Sequence, residues 1–200
     1  GWRPLEAIVA GDAGVRLLPE DEAKGCLRAA GVAVPKGTSA ATIHALDPEG
    51  EGLAAPYVLK GLGFAHKSEA GAVRLGLSGL DGQPDMDGAS GYLVEEMVTG
   101  GVAELLVGLI RDPVYGATLT LGFGGVTAEL LKDTVTLVLP VSAVDIAAAL
   151  PRLQPLPLLD RFRGLPKPNL AAVVAAIHLL ALPSDACPQL SQLDVHPLLL

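Results

Sequence analysis

No stretch of about 18 uncharged apolar residues runs through this chain without a Pro, Gly, Asp or Arg to break it, although half of its residues are apolar. That punctuation narrows the fold before any motif is read. With 24 glycines and 16 prolines in 200 residues, apolar segments are held to strand length or to short helices, and a transmembrane helix is not expected. The length is enough for a sizeable buried core, as one large domain or as two smaller lobes sharing a cleft.

Composition removes further classes. A net charge of −8 with few aromatics leaves no basic, base-stacking footprint, so nucleic acid is not an expected partner. The opening Gly1-Trp2-Arg3-Pro4 shows no basic segment followed by an apolar region and does not read as a signal peptide. Cys26 and Cys187 lack CxxC spacing. They are expected to be ordinary buried thiols in a reducing cytoplasm.

Along the chain, Glu20, Asp21 and Glu22 precede Ala23 to Ala30 and Gly31. Acid at the start and glycine at the stop predict a short helix. Val32 to Pro35 reads as extended. Strands are predicted over Pro56 to Lys60, Ala72 to Leu77 and Tyr92 to Val98, with the Gly-, Asp- and Pro-rich Ser78 to Gly91 as a connection. Glu104 to Asp112 and Thr118 to Gly122 flank a turn and predict a hairpin, and Leu130-Leu131 with Thr134 to Leu139 predict another strand pair. Helices are predicted over Ser142 to Leu150 and Asn169 to Leu182, opened by Ser142 with Asp145 and by Asn169. Gln192 to Leu200 closes as a strand. Hairpins mixed with separated helices indicate an α+β class.

Several residues are able to carry chemistry, each with an ordinary alternative. Lys60 at a strand end suits a phosphate, or a snorkelling edge position. His66 in a Gly-flanked loop is a nucleophile or a surface histidine. Glu95 and Glu96 hold a ribose hydroxyl or form a solvated strand end. Gly122-Phe123-Gly124-Gly125 lets backbone amides approach phosphate, although such a turn is common. Asp194 and His196 alternate about Val195, so a regular strand would aim both at one face, where they share a metal or simply pack.

The order of these pieces is more specific than any one. Glu22-Ala23-Lys24 followed by Gly31-Val32-Ala33-Val34-Pro35, then Val58-Leu59-Lys60, His66 to Leu77, Leu93 to Val98, Glu104 to Gly108 with Arg111-Asp112-Pro113, Gly122 to Val126 with Glu129, and Leu193 to Leu199 together resemble the ATP-grasp module of the ADP-forming acetyl-CoA synthetases and their succinyl-CoA synthetase relatives. The family patterns are "EAK…GIPVP", "VLK", "HKSDVGGVRLGL", "LVQEMV", "ELIVG…RDP", "GxGG" and "LDINPLL". The resemblance implies a two-lobed ATP-grasp fold, with residues 31–96 as a small lid lobe, residues 1–30 and 97–200 as a larger lobe, and the nucleotide between them.

It also implies roles. Lys60 would meet the phosphates of ATP or ADP. Glu95, Glu96, Met97 and Val98 would be the hinge strand beside adenine and ribose, and Glu104 a further nucleotide-site residue. Glu129, Asp194 and His196 would hold Mg²⁺, and His66 would be a phosphohistidine, receiving phosphate from a partner's histidine and passing it to ADP. The partner is a CoA-binding and ligase region, on the same polypeptide or a separate subunit. Three departures stand out. The lid is shortened over Ser78 to Gly91. His196 replaces an asparagine and is a poor hard-oxygen donor for Mg²⁺. A second metal-binding aspartate would follow Leu200. A degenerate, regulatory or scaffolding ATP-grasp module is the alternative, and an amide-forming ligase a third possibility that the His66-Lys67-Ser68 match disfavours.

Overall fold

The computed structural model describes residues 6–11, 14–64, 71–101, 103–124, 133–154, 167–186 and 189–200. They form two antiparallel sheets. The larger has six strands in the order β2-β1-β10-β7-β8-β9 and the smaller four in the order β3-β6-β4-β5. The strands are β1 (Glu6–Gly11), β2 (Gly14–Leu18), β3 (Gly37–Ala40), β4 (Tyr57–Leu62), β5 (Val73–Leu77), β6 (Gly91–Glu96), β7 (Glu104–Asp112), β8 (Gly116–Phe123), β9 (Thr134–Val138) and β10 (Leu190–Leu199). The helices are α1 (Glu20–Ala29), α2 (Ala143–Ala149) and α3 (Leu170–Ala186). Among the described residues no helix is long and apolar enough to cross a membrane.

Each sheet has its own core. On β7 the alternate residues Leu105, Val107 and Leu109 are buried, as a strand of period two requires, and they pack with Leu119 and Leu121 of β8 against Ile146 of α2 and Ile177 of α3. Ala23 and Leu27, one helical turn apart on α1, join this core. In the smaller sheet Tyr57, Leu59, Tyr92 and Val94 pack with Ile43, Leu53 and Met86. Leu121 has no exposed surface. Leu121→Ala is therefore expected to lower stability by about 2–5 kcal/mol, read as a shift in the urea midpoint at unchanged slope.

Several sequence expectations need correction. The strands β1 and β2 precede the first predicted element and complete the larger sheet beside β10. Val32 to Pro35, read as extended, joins neither sheet; Val32 is buried in the larger core and Val34 packs on it. Strand β9 pairs with β8, and Leu130 and Leu131 lie outside the described residues. Helix α3 runs past Leu182 through Pro183, because a proline removes one N–H from the ladder and the flanking bonds can carry the helix on. Cys26 is exposed, since it lies off the α1 face that Ala23 and Leu27 turn inward; Cys187 lies outside the described residues. The 78–90 connection holds neither helix nor strand. It is nonetheless tied down: Arg74 donates to the Pro84 carbonyl at 2.6 Å, and the Met86 amide donates to the Tyr92 hydroxyl at 3.0 Å.

The capping expectation agrees with the fold. Ser142 and Asp145 form a reciprocal capping box at the start of α2, and the Asn169 side chain accepts from the Ala172 amide at 3.1 Å.

Candidate functional site

Strand alternation prepares the site. On β4, Tyr57 and Leu59 face the small core, which turns Val58 and Lys60 to the opposite face. On β6, Tyr92 and Val94 do the same and turn Leu93 and Glu95 outward. Because Lys60 pairs across from Leu93 and Val58 from Glu95, Lys60 and Glu95 are neighbours on one sheet face. Helix α1 crosses that face with Glu20 and Lys24, which are four residues apart and so share a helix side.

The result is a closed ring of alternating charge. Lys60 Nζ lies 2.6 Å from Glu20 and 2.8 Å from Glu95, and Lys24 Nζ lies 2.8 Å from Glu20 and 2.6 Å from Glu95. All four groups are withdrawn from water; the carboxylate side chains are 2% and 4% exposed and the lysines 13% and 6%. Removing such charges from water is costly, and only close mutual pairing offsets that. Burial alone would lower the Lys60 ammonium, but Glu20 and then Glu95 outweigh it and hold the group above its ordinary value. Lys24 moves down, chiefly through burial and then through the charge of Lys60, against the pull of Glu20 and Glu95. Gly37 makes room for the ring: a Cβ there would stand 2.7 Å from the Val94 carbonyl oxygen and 2.8 Å from Glu95 Cγ.

The ring forms part of the wall of a cavity of about 500 Å³ between the two sheets. Its other walls are mostly apolar, with Leu27, Val32, Val34 and Val58 on one side and Val173, Val195 and Leu198 on another. Volume and lining suit a nucleotide-sized ligand with a flat apolar part and a charged part. Of the expected site residues, the cavity gathers Lys60, Glu95, Glu96, Val98 and His196.

Others stand off the lining. Met97 does not line the cavity, and the amides of Glu96 and Met97 are already donated to the Lys36 and Pro56 carbonyls at 3.0 and 2.8 Å. The Glu96 carboxylate accepts from the Ala54 amide at 3.0 Å. Glu104 opens β7, and its carbonyl accepts from the Gly124 amide at 2.7 Å. A Cβ on Gly124 would lie 3.0 Å from Glu104 Cβ and 3.2 Å from His196 Nε2, so Gly124 packs against both residues. Asp194 accepts from the Gln192 side chain at 2.5 Å and lies against Gly108. His196 lines the cavity and Asp194 does not; the pairing of β10 with β7 shifts between Val195 and Leu198, around His196. His66 and Glu129 lie outside the described residues.

No three His, Cys, Asp or Glu side chains among the described residues come together to hold an ion; Glu129, one of the expected ligands, lies outside them, and magnesium takes several oxygen donors in near-octahedral order. Sequence reading overlooked Glu20 and Lys24 as site residues. Their four-residue spacing, beside the buried Ala23 and Leu27, was the available signal.

A family model for the ATP-grasp domain matches residues 10–200. A trans-feruloyl-CoA synthase of unknown prokaryotic origin is 31% identical over 94% of this chain, which spans 29% of that relative's length. The beta subunit of the ADP-forming acetate–CoA ligase I of Pyrococcus furiosus is 28% identical over 96% of this chain and 90% of its own. Among solved structures, the dinucleotide-forming acetyl-coenzyme A synthetase 1 of Ca. Korarchaeum cryptofilum, in complex with coenzyme A, Ca-AMPCP and HgCl⁺, superposes with a TM-score of 0.81 at 27% identity, covering 91% of this chain and 86% of that one. The same enzyme with coenzyme A and Mg-AMPPCP gives 0.75 at 26% identity, covering 90% and 84%.

Two antiparallel sheets enclosing a charged, nucleotide-sized cavity thus define an α+β protein with the ATP-grasp fold. The chain belongs to the ATP-grasp family, as an ATP-grasp domain of the ADP-forming acyl-CoA synthetases.

Proposed function

We propose that the cavity binds ATP or ADP and that the chain supplies the nucleotide half of a reversible exchange, in which acyl-CoA, phosphate and ADP give carboxylate, CoA and ATP. The single observation behind this reading is the cavity itself, which brings Lys60, Glu95, Glu96, Val98 and His196 onto one wall system between the sheets. In the proposed arrangement the base lies against Val34, Val58 and Val98, and Lys60 donates to phosphate oxygens as a compact point charge. Residues 31–96 act as the lid, closing on residues 1–30 and 97–200. CoA and the acyl group are handled by a CoA-binding and ligase region on the same polypeptide or another subunit.

Phosphoryl transfer asks mainly for positioning and charge neutralisation. In the proposed relay, an oxygen of the ADP β-phosphate attacks phosphorus on phosphorylated His66, the N–P bond breaks, and ATP and the free imidazole result. Magnesium, when bound with the nucleotide, would add charge neutralisation; Glu129, Asp194 and His196 remain its proposed ligands, although the described pair does not by itself make a site. Similar proteins support the general scheme. One solved relative is described with its phosphohistidine segment pointing towards the nucleotide-binding site.

Titration calorimetry of the folded chain with ADP and magnesium tests the reading. Saturable binding is expected. No heat at millimolar ADP, with the chain shown to be folded by circular dichroism, would replace this reading with that of a degenerate, scaffolding module.

A further inference from the structure

A wall that receives polyphosphate is expected to be positive, and this one is not. Among the described lining residues three carboxylates, Glu20, Glu95 and Glu96, stand against two ammonium groups, Lys24 and Lys60, with the His196 imidazole beside them. Four of these groups cancel within the ring. Glu95 reaches both lysines, as Glu20 does, and β3 runs beside it with Gly37 against its side chain. Each carboxylate of the ring has two lysine partners. Either lysine can therefore turn toward a phosphate without leaving a buried carboxylate stranded, since the other lysine keeps it paired.

We infer that Glu95 sets the affinity of the cavity for nucleotide phosphates by compensating Lys24 and Lys60 together, and that Lys24, from α1, acts beside Lys60 as the second cation of the phosphate site. The inference rests on the cavity being the nucleotide site. Loss of the Glu95 charge leaves the ring with one uncompensated cation, whereas loss of the Lys24 charge leaves it with one uncompensated anion. Glu96, which accepts from the Ala54 amide, is not a ring member.

The test is calorimetry of ADP binding at low salt, with a chelator present, to wild type, E95Q, E20Q and K24M. A unit charge beside a phosphate in a partly wet cleft is worth about tenfold in affinity, so E95Q and E20Q are expected to bind about tenfold tighter than wild type and K24M about tenfold weaker. Added salt should narrow both differences. Circular dichroism establishes folding of each variant. A ring that serves only stability would leave the affinities of folded variants unchanged or lower all of them, and either result overturns the inference. If E95Q does not fold, E20Q and K24M decide by the same criterion. Failure of wild type and all variants to bind ADP even with magnesium would instead remove the nucleotide reading. Binding without the order E95Q, wild type, K24M removes only this inference.

Discussion

Lys60→Met is expected to lower the stability of the chain by about 3–5 kcal/mol and to abolish measurable ADP binding. The two effects share one cause. Lys60 is buried and lies within 2.8 Å of two buried carboxylates. Without it, Glu20 and Glu95 must share Lys24 alone, and an uncompensated charge remains in a site with little water. Methionine fills the volume and isolates the charge. The pH dependence has a defined sign: a lysine held above its ordinary value of 10.5 in the fold contributes fully below that value and loses its contribution as pH rises further. The gap between wild type and K60M should therefore stay constant near neutrality and narrow only in strongly alkaline solution. Urea denaturation at pH 7 measures the first effect and calorimetry the second. A K60M midpoint equal to that of wild type would show that the ring contributes little to the fold. Lys60→Arg is not expected to rescue binding, because a planar five-donor fork cannot take the place of a compact ammonium between two carboxylates.

His66→Ala, made in a complete enzyme that carries the CoA-binding region, is expected to abolish net ATP formation while leaving phosphorylation of the partner's own histidine by acyl-CoA and phosphate intact. The proposed relay requires a histidine that travels between two stations. Among the described residues on either side of it, the Gly61 amide of β4 donates to the Ala72 carbonyl at 2.9 Å, and Gly63 and Gly71 have φ of +91° and +65°. Both glycines thus use backbone geometry that other residues rarely adopt. Isotope labelling from phosphate separates the two half-reactions. Undiminished ATP synthesis by H66A would remove the relay and leave direct transfer from the partner's histidine to ADP.

Much of this architecture was legible in the residues. Apolar runs carrying Lys60 and Glu95-Glu96 announced the strands that became β4 and β6, and the Ser142-to-Asp145 spacing announced the capping box that opens α2. The ordered motifs reached the family because each demands particular residue types at fixed spacing. What stayed hidden were features that depend on distant segments meeting. Strands β1 and β2 carry no strong local signal and exist as sheet members because β10 offers an edge to pair with. The shift in pairing of β10 against β7 around His196 is likewise recorded by no pattern within β10.

The charge ring marks the boundary most clearly. Sequence alone determined that Glu20 opens a short helix, that Lys60 and Glu95 lie on separate strands, and that short, interrupted apolar segments assemble as an α+β fold, because helical and strand periods are local properties of the backbone. Only the tertiary structure decided that this helix and these strands meet, with Lys24 and Glu95 71 positions apart in the chain, and that Lys60 is compensated rather than exposed as a bare cation. The reason is physical: charges at this depth persist only when each is paired at contact distance, and that distance is set by the packing of α1 between two cores, with Ala23 and Leu27 seated in the larger one and Glu20 and Lys24 laid across the smaller sheet.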